Sequence, residues 1–470
     1  MGQGPAETDN NDDPRRSLPS ISNLLEEERV KDFMTSYSRS QVMEVIDGVL
    51  FRYRSILKPG DTPVKLGEII EELDRKLAES ELDRLRPVIN AAGIVLHTGL
   101  GRAVLPQRAV DAVAGLNRCC NLQIDLETGV RGKRNYTTER LLTRITGAEA
   151  AVVVNNNAGA TLLVLAALCE EKEVVVSRGQ LIEIGGSFRL PDCIGQSGAR
   201  MVEVGTTNKT HLHDYERAIT EETGALLRVN PSNYRVIGFS KSVSVAELVS
   251  LKKKHDVLVI DDLGCGALVD LSEYGLPHEP TVQESIRAGA DLVFFSGDKL
   301  ISGPQAGIIV GRGRLIAKIK KHPLNRMLRV CKLTDTALEH TLRLFLEPDK
   351  LIEENPTLRM MTLPLEALKK KANRLRKLIE GHGAALEVSL VEGETAVGGG
   401  SMPGQPIKTW LVAVKSETIA PDALCARLRR HEPPVIARIA DDRLLVDVRT
   451  LLTGEDKVVA EALGKVVSAN

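Results

Sequence analysis

The residue of this sequence that points most clearly to catalysis is Lys299, which stands just after the apolar run 292–295. Ser296, Gly297 and Asp298 separate the lysine from that run. Burial at the end of a strand lowers the pKa of an ammonium group, and the resulting neutral amine is a nucleophile that can form a Schiff base. The alternative is an ordinary lysine whose charged end reaches water. The tetrad alone leaves both interpretations open.

A second candidate site is the turn between an apolar strand and an apolar helix within residues 152–163. Asn156, Asn157, Ala158 and Gly159 stand at the start of that helix. Small residues there let backbone N–H groups converge on a phosphate, and the helix dipole favours an anion. The alternative is a routine turn in which asparagine caps the helix.

A carboxylate completes this set of candidates. Asp261 and Asp262 follow the apolar run 257–260, and open α/β sheets bind ligands at the carboxyl ends of their strands. One of the two aspartates is expected only to cap the next element. A phosphate turn, then Asp262, then Lys299 with Ser296 beside it is the set that pyridoxal phosphate needs. The aspartate pairs with the pyridinium nitrogen and the lysine forms the imine.

Arginines are the candidates for the substrate side. Arg102 lies among glycines, and Arg326 and Arg329 are three residues apart on one face of a predicted helix. Guanidinium groups in such places suit bidentate capture of phosphate or carboxylate. The nine histidines form no HExxH spacing, and the one HxH pair, His211 and His213, is by itself too few ligands, so no metal site is predicted.

Composition limits the classes of function. The 470 residues carry a net charge of −1, and only 3% are aromatic, which argues against a DNA-wrapping protein or a platform that stacks single-stranded bases. The seven cysteines form no CxxC pair and read as reduced thiols. No apolar run is long enough to span a bilayer, and the polar, acidic N-terminus has no secretory signal. A soluble cytoplasmic protein is expected.

The pattern along the chain predicts four parts. Residues 1–16 lack apolar content and are expected to be disordered. Residues 17–85 show helical spacing, residues 86–345 alternate strands with helices, and residues 346–470 alternate again. The apolar segment at 308–310, soon after Lys299, is expected to form a further strand beside the strand that precedes the lysine. The fold class is therefore α/β, with a mainly parallel central sheet, a small C-terminal α+β domain and an N-terminal helical domain.

Several motifs together resemble the bacterial L-seryl-tRNA(Sec) selenium transferases, the selenocysteine synthases. The motifs are Asn-Ala-Ala-Gly at 90–93, His-Thr-Gly-Leu-Gly-Arg at 97–102, the asparagines at 155–157, Glu-Ile-Gly-Gly-Ser-Phe-Arg at 183–189, Asp-Leu-Gly-Cys-Gly at 262–266, Ser-Gly-Asp-Lys-Leu at 296–300 and Gly-Pro-Gln-Ala-Gly at 303–307. Segments at 18–21, 434–438 and 445–449 extend the resemblance over nearly the whole chain. Gly99, Gly159 and Cys265 stand where the family usually has Asn, Ala and Ser.

The resemblance implies a fold-type-I pyridoxal phosphate enzyme that forms a homo-oligomer, a decameric ring of dimers. It further implies that seryl-tRNA(Sec) is converted to selenocysteyl-tRNA(Sec) with selenophosphate as donor. Residues 17–85 would bind the tRNA. Lys299 matches the imine lysine and Asp298 the acidic residue beside it. Arg102, Arg326 and Arg329 match the arginines that handle the donor.

The expected reaction follows from these residues. The seryl amine would displace Lys299 to form an aldimine, and the freed lysine would remove the α-proton. Loss of the β-hydroxyl would leave an aminoacrylyl intermediate, to which selenium adds. Arg438 in the small domain is a candidate for the carbonyl end of the substrate.

Two alternatives remain at this stage. One is a pyridoxal phosphate lyase or aldolase acting on a free amino acid, which would need an arginine for the substrate carboxylate and would be expected to lack the N-terminal helical part. The other is a tRNA-binding scaffold without catalysis. The presence of Lys299, Asp262 and the arginines argues against the scaffold.

Overall fold

A computed structural model of the chain describes residues 13–82, 85–132, 134–382 and 386–468. Within it the chain divides into two compact units, one up to Pro87 and one from Val88 onward. The two units are described separately below.

The first unit is helical. Its α-helices are α1 Ile21–Glu26, α2 Glu28–Ser36, α3 Arg39–Ile56 and α4 Leu66–Leu82. Ser38 and Gln41 form a capping box at the start of α3, which satisfies backbone N–H groups that the helix itself leaves open. Apolar residues three and four positions apart on α3 and α4 are buried together in one core, as the helical spacing predicted.

Regular structure is present before α1, in residues that the sequence assigned to a disordered segment. Pro14–Ser17 form a 3₁₀ turn, and the carboxylate of Asp13 accepts hydrogen bonds from the backbone and side chain of Arg15. The prediction of disorder is therefore wrong for residues 13–16, because this local cap is not visible in the composition. Residues 1–12 lie outside the described residues.

The second unit contains both strands and helices. Its strands are β1 Ile89–Asn90, β2 Ile94–Leu96, β3 Ala150–Val154, β4 Glu173–Ser177, β5 Glu183–Ile184, β6 Phe188–Arg189, β7 Arg200–Val204, β8 Thr223–Val229, β9 Leu258–Gly264, β10 Leu292–Ser296, β11 Gly307–Gly311, β12 Leu386–Gly398, β13 Ile407–Ser416, β14 Val435–Ile436, β15 Arg438–Ala440 and β16 Arg443–Asp447.

Helices of the second unit follow most of these strands. They are α5 Gln107–Ala114, α6 Tyr136–Thr146, α7 Asn157–Cys169, α8 Leu190–Gln196, α9 Leu212–Ala218, α10 Val245–Leu251, α11 Val282–Arg287, α12 Gly313–Lys321, α13 Pro323–Met327, α14 Lys332–Leu344, α15 Pro348–Glu354, α16 Pro356–Thr362, α17 Leu365–Gly381, α18 Pro421–Arg429 and α19 Glu455–Ser468. None of the described helices has the length and apolar character needed to cross a bilayer.

The central sheet has the strand order β3-β11-β10-β9-β8-β4-β7. Its pairs are parallel except those of β11, which runs antiparallel to both β10 and β3. Helices cover both faces: α6, α10 and α14 pack on one, and α7, α8 and α12 on the other. The mainly parallel α/β sheet predicted from the sequence is confirmed. So is the further strand predicted beside the lysine strand, because Phe295 of β10 pairs with Ile308 of β11.

A second sheet, in the order β15-β16-β13-β12-β2, packs against α17, α18 and α19. Its edge strand β2 comes from far upstream and runs parallel to β12, while β1 pairs with β14. Residues 89–96 therefore belong with the C-terminal sheet, whereas the expected boundary at residue 86 assigned them to the central one. Pairing between segments so distant in sequence leaves no local pattern.

Candidate active site

Lys299 lies in a cavity of about 260 Å³ at the carboxyl edge of the central sheet. The turn from β10 to β11 positions it: the Gly297 N–H donates to the Ala306 carbonyl at 2.8 Å, and the Gly303 N–H donates to the Gly297 carbonyl at 2.9 Å. A side chain at Gly297 would collide with the Pro304 carbonyl. Only 7% of Lys299 is exposed, and this burial is the main reason that its pKa is lowered.

Asp262 lies in the same cavity, on β9. Its carboxylate accepts hydrogen bonds from Asn157 Nδ2 at 2.9 Å and from the Gly264 N–H at 3.0 Å. Burial raises the pKa of Asp262 to about 6, although these hydrogen bonds and Lys299 oppose the shift. Among the described residues, the buried Oδ1 of Asn157 has no hydrogen-bond partner. The cavity therefore holds a buried carboxylate of raised pKa beside the amide oxygen of Asn157, which can accept a hydrogen bond.

The first turn of α7 forms another wall of this cavity. Asn156, Asn157 and Ala158 line it, at the positive end of a 13-residue helix. Asn156 also caps the helix, because its Oδ1 accepts the Gly159 N–H at 2.8 Å. Gly159 itself is not among the lining residues. The turn is therefore a capped helix start that also lines the lysine cavity, and its binding of a phosphate stays a prediction.

Arg102 also lines the cavity of Lys299. Arg102 Nη1 donates to Asp298 Oδ2 at 2.6 Å, and both residues line the cavity with Ser296. The backbone of Arg102 has a φ of +65°, a conformation that side-chain-bearing residues seldom adopt. Its N–H bonds the His97 carbonyl at 2.9 Å, so the turn at 97–102 holds the guanidinium in place.

Two buried side chains beside the cavity, Cys265 and Asp261, are bound by residues outside it. The Cys265 thiol donates to Glu279 Oε1 at 3.0 Å, and its pKa is raised well above the usual value, chiefly by burial. Asp261 binds Arg228 Nη1 at 2.7 Å and the Ser285 hydroxyl at 2.5 Å. Of the two adjacent aspartates, Asp261 is thus structural and Asp262 faces the cavity.

Sequence reasoning missed several residues at this site. Asn230 and Ser232, from the loop after β8, line the cavity. Gly400, just past β12, comes so close that a methyl group there would lie 3.3 Å from Lys299 Nζ. The one available signal was the run of three glycines at 398–400, each with a positive φ, which marks a backbone that approaches another group closely.

The other arginines predicted for the site do not line the Lys299 cavity. Arg326 and Arg329 line a separate cavity of about 400 Å³, where the neighbouring Arg134 and Arg326 lower the pKa of Arg329. The prediction of one helical face is wrong, because α13 ends at Met327 and Arg329 instead forms a bridge with Val154 of β3. Arg438 is not among the residues lining the Lys299 cavity, and its Nη2 donates to the Glu394 carbonyl.

Comparison with known proteins decides the family. The family model described as "L-seryl-tRNA selenium transferase" matches residues 88–452, and the model described as "selenocysteine synthase N terminal" matches residues 15–54. The chain belongs to the L-seryl-tRNA selenium transferase family. A relative from Moorella thermoacetica, named L-seryl-tRNA(Sec) selenium transferase, is 47% identical over 95% of this chain and 96% of its own length. A relative of the same name from Clostridium perfringens is 46% identical over 96% of this chain and 98% of its own length. The resemblance inferred from the motifs is confirmed.

A solved structure places this family among known folds. D-glucosaminate-6-phosphate ammonia-lyase matches with a TM-score of 0.57 and 22% identity, over 82% of this chain and 96% of that one. At this identity the likeness concerns the fold alone. Together with the order of the central sheet, it identifies the type-I fold of pyridoxal phosphate enzymes. Among the described residues, no cluster of three or more His, Cys, Asp or Glu side chains is placed to hold a metal ion.

Proposed function

We propose that this chain converts L-seryl-tRNA(Sec) to L-selenocysteyl-tRNA(Sec), with pyridoxal phosphate bound at Lys299 and selenophosphate as the selenium donor. The observation that carries the proposal is the meeting of Lys299, Asp262 and Arg102 in one cavity of a chain that belongs to the L-seryl-tRNA selenium transferase family. A lysine of lowered pKa, a buried carboxylate and a cation are the groups that this reaction requires.

The cavity fits pyridoxal phosphate by its own chemistry. Asp262 is a carboxylate whose pKa is raised by burial, and a protonated pyridine nitrogen would stabilise its charged form. The first turn of α7, with Asn156 and Ala158, offers the positive end of a helix to the phosphate. Asn157 Oδ1, which has no partner within the described part of the chain, could accept a hydrogen bond from the cofactor. Lys299 Nζ would hold the aldehyde carbon.

When bound, the cofactor supplies an electron sink for the charge left at the serine α-carbon. Lys299, once released, accepts the α-proton, and its lowered pKa leaves it neutral at a lower pH than an exposed lysine. Asp298 holds Arg102 at the cavity through their 2.6 Å contact. Arg102 is thereby placed to bind the anionic donor and to stabilise charge as phosphate leaves.

We propose that Arg326 and Arg329 bind anionic groups of the substrates from their separate cavity. Arg134, Lys320 and Lys321 line it with them, so the cavity is strongly basic. A phosphate-bearing ligand is the natural partner of such a set.

We also propose that the protein assembles into a homo-oligomer, a decameric ring of dimers. The exposed apolar side chains of Ile124, Leu126 and Val130, close together in sequence, support subunit contacts in that region. We further propose that the helical unit up to residue 85 binds the tRNA. Exposed Phe51 lies on α3 between Arg39 and Arg54, and this combination of cations with an aromatic ring suits RNA.

The test of the proposed function is turnover of two substrates. The purified protein with pyridoxal phosphate should absorb visible light and should transfer selenium from selenophosphate to seryl-tRNA(Sec), while free serine is turned over at a much lower rate. A protein that consumed free serine and ignored seryl-tRNA would be a lyase instead. A protein that bound tRNA but no cofactor would be a scaffold.

The pKa of Asp262 predicts how cofactor affinity depends on pH. The carboxyl group of the cofactor-free site titrates near pH 6, and only its charged form pairs with a pyridinium ring. Affinity for pyridoxal phosphate should therefore be highest above pH 6 and should fall as the pH drops through 6. Absorbance titrations between pH 5 and 8 measure this. Asp262→Asn should bind more weakly at pH 8 and should lose this component of the pH dependence, and an unchanged profile in Asp262→Asn would contradict the pairing.

A further inference from the structure

A second cavity, of about 290 Å³, opens beside the lysine cavity at the same edge of the central sheet. It is lined mainly by residues at the carboxyl ends of β4 and β8 and in the loops that follow β4, β7 and β8. Asn230 lines both cavities, so they are neighbours across a single side chain. Nothing in the mechanism above uses this second space.

The floor of this cavity is a built polar network. Arg228, whose side chain is 15% exposed, binds Asp261 Oδ1 at 2.7 Å and Asn230 Oδ1 at 3.3 Å. Asn230 Nδ2 in turn donates to Glu279 Oε1 at 3.1 Å. Arg228, Asp261 and Glu279 thus each have a hydrogen-bond partner in this network. Asn230 is held in one orientation between the two cavities.

The wall of the cavity carries groups that suit a nucleotide. Tyr234 is half-buried, and its hydroxyl donates to the Gly179 carbonyl, which orients its ring at the cavity. Arg235 and Lys241 add two exposed cations, and Asn208 adds an amide. Cations for phosphates, an amide for base edges and an aromatic ring are the means by which proteins bind single-stranded RNA.

The mouth of the cavity bears an exposed apolar tip at residues 237–239. Ile237 is 84% and Phe239 88% exposed, and lining residues precede and follow this tip in the chain. Asn208 Nδ2 donates to the Phe239 carbonyl at 2.6 Å. The Lys209 ammonium lies 5.8 Å from the centre of the Phe239 ring. The Phe239 backbone is therefore bound to Asn208, a lining residue of the cavity, and its exposed ring lies near the Lys209 ammonium.

We propose that this second cavity, the nucleoside cavity, binds the terminal nucleoside of the seryl-tRNA. The Phe239 ring stacks on its base, and Arg235 and Lys241 bind the adjacent phosphates. The inference rests on the proposed function. The seryl group is an ester of the terminal ribose, and four single bonds of roughly 1.5 Å separate its α-amine from the ribose carbon. The nucleoside must therefore lie next to Lys299, where this cavity is.

The test compares two RNA ligands and two protein variants. Wild-type protein with bound cofactor should bind uncharged tRNA(Sec) more tightly than the same tRNA lacking its terminal adenosine. Phe239→Ala should weaken binding of the complete tRNA about tenfold, the typical worth of one stacked base, and should no longer distinguish the two tRNAs. Its KM for seryl-tRNA should rise while kcat stays within about twofold. Lys253→Ala, which removes an exposed lysine outside both cavities, is the control that should match wild type.

A second arm tests the phosphate contacts. Arg235→Ala and Lys241→Ala should each reduce the salt dependence of tRNA binding by about one unit of slope. Cofactor absorbance should be unchanged in all these variants, which excludes misfolding.

Three results would overturn the nucleoside cavity. If the enzyme transfers selenium but Phe239→Ala keeps the preference for the terminal adenosine, the cavity assignment is wrong and the proposed function stands. If Phe239→Ala keeps the preference and changes the oligomeric mass, the tip is a contact between copies of the chain. If the wild-type protein binds neither tRNA, the proposed function fails, and the nucleoside cavity fails with it.

Discussion

Lys299→Ala is expected to lower selenium transfer to seryl-tRNA(Sec) by at least about 10³-fold and to abolish the visible absorbance of the protein with pyridoxal phosphate. Lys299 is the lysine of the cavity that also contains Asp262 and Arg102, and burial lowers its pKa. The substitution removes both the amine that would hold the cofactor and the proposed acceptor of the α-proton. The measurements are an absorbance spectrum and single-turnover transfer with labelled seryl-tRNA.

Lys253→Ala is the matched control, because Lys253 is exposed and lies outside the site. Its spectrum and rate should equal those of wild type. Transfer by Lys299→Ala at a tenth of the wild-type rate or faster would contradict both roles of the lysine. Unchanged tRNA binding by Lys299→Ala would show that the loss is chemical.

Gly400→Ala is expected to reduce activity far more than its effect on stability explains. Its φ is +74°, and the added methyl group would lie 3.3 Å from Lys299 Nζ and 3.4 Å from the Ser232 hydroxyl oxygen. The left-handed backbone costs an alanine roughly 1 kcal/mol. The steric contact falls on the amine itself, so transfer should drop at least about tenfold, a loss typical when reacting groups are misplaced.

Gly404→Ala separates the two effects. Gly404 has a φ of +65°, and no atom lies within 4 Å of a methyl group added there. This variant should suffer the same loss of thermal stability as Gly400→Ala, a few degrees in Tm, and should keep its activity. If both variants were equally active after correction for folding, the close approach of Gly400 to Lys299 would have no part in the reaction.

The parts of the fold that the sequence revealed are those with local patterns. The apolar runs at 152–154, 257–260 and 292–295 predicted β3, β9 and β10, and these strands are buried over nearly their whole length. The strand predicted at 308–310 was found beside the lysine strand for the same reason. By contrast, β12 alternates and includes charged residues, so its 13 residues gave too weak a signal to be identified.

The candidate site likewise contains residues that local sequence patterns predicted and contacts that only the tertiary structure revealed. Asn157, Asp262 and Lys299 each follow an apolar strand, and parallel neighbours in a sheet bring their carboxyl ends to one edge. Arg102 was selected for its residue type, but its contact with Asp298 spans 196 positions. Gly400 reaches Lys299 only because β12 pairs with β2 and carries the glycine turn to the cavity. Neither contact leaves a trace in local spacing.

The sequence by itself determined the class of protein: an α/β chain with a strand-end lysine, carboxylate and phosphate turn, and motifs that assign it to the L-seryl-tRNA selenium transferase family. Only the tertiary structure decided which groups surround the lysine. It showed that Asp262 rather than Asp261 faces the cavity, that Arg326 and Arg329 lie outside it, and that Asn230 joins it to a second cavity. The physical reason is that side-chain identity and period are local properties, whereas burial, pKa and contact depend on segments that the chain brings together from far apart.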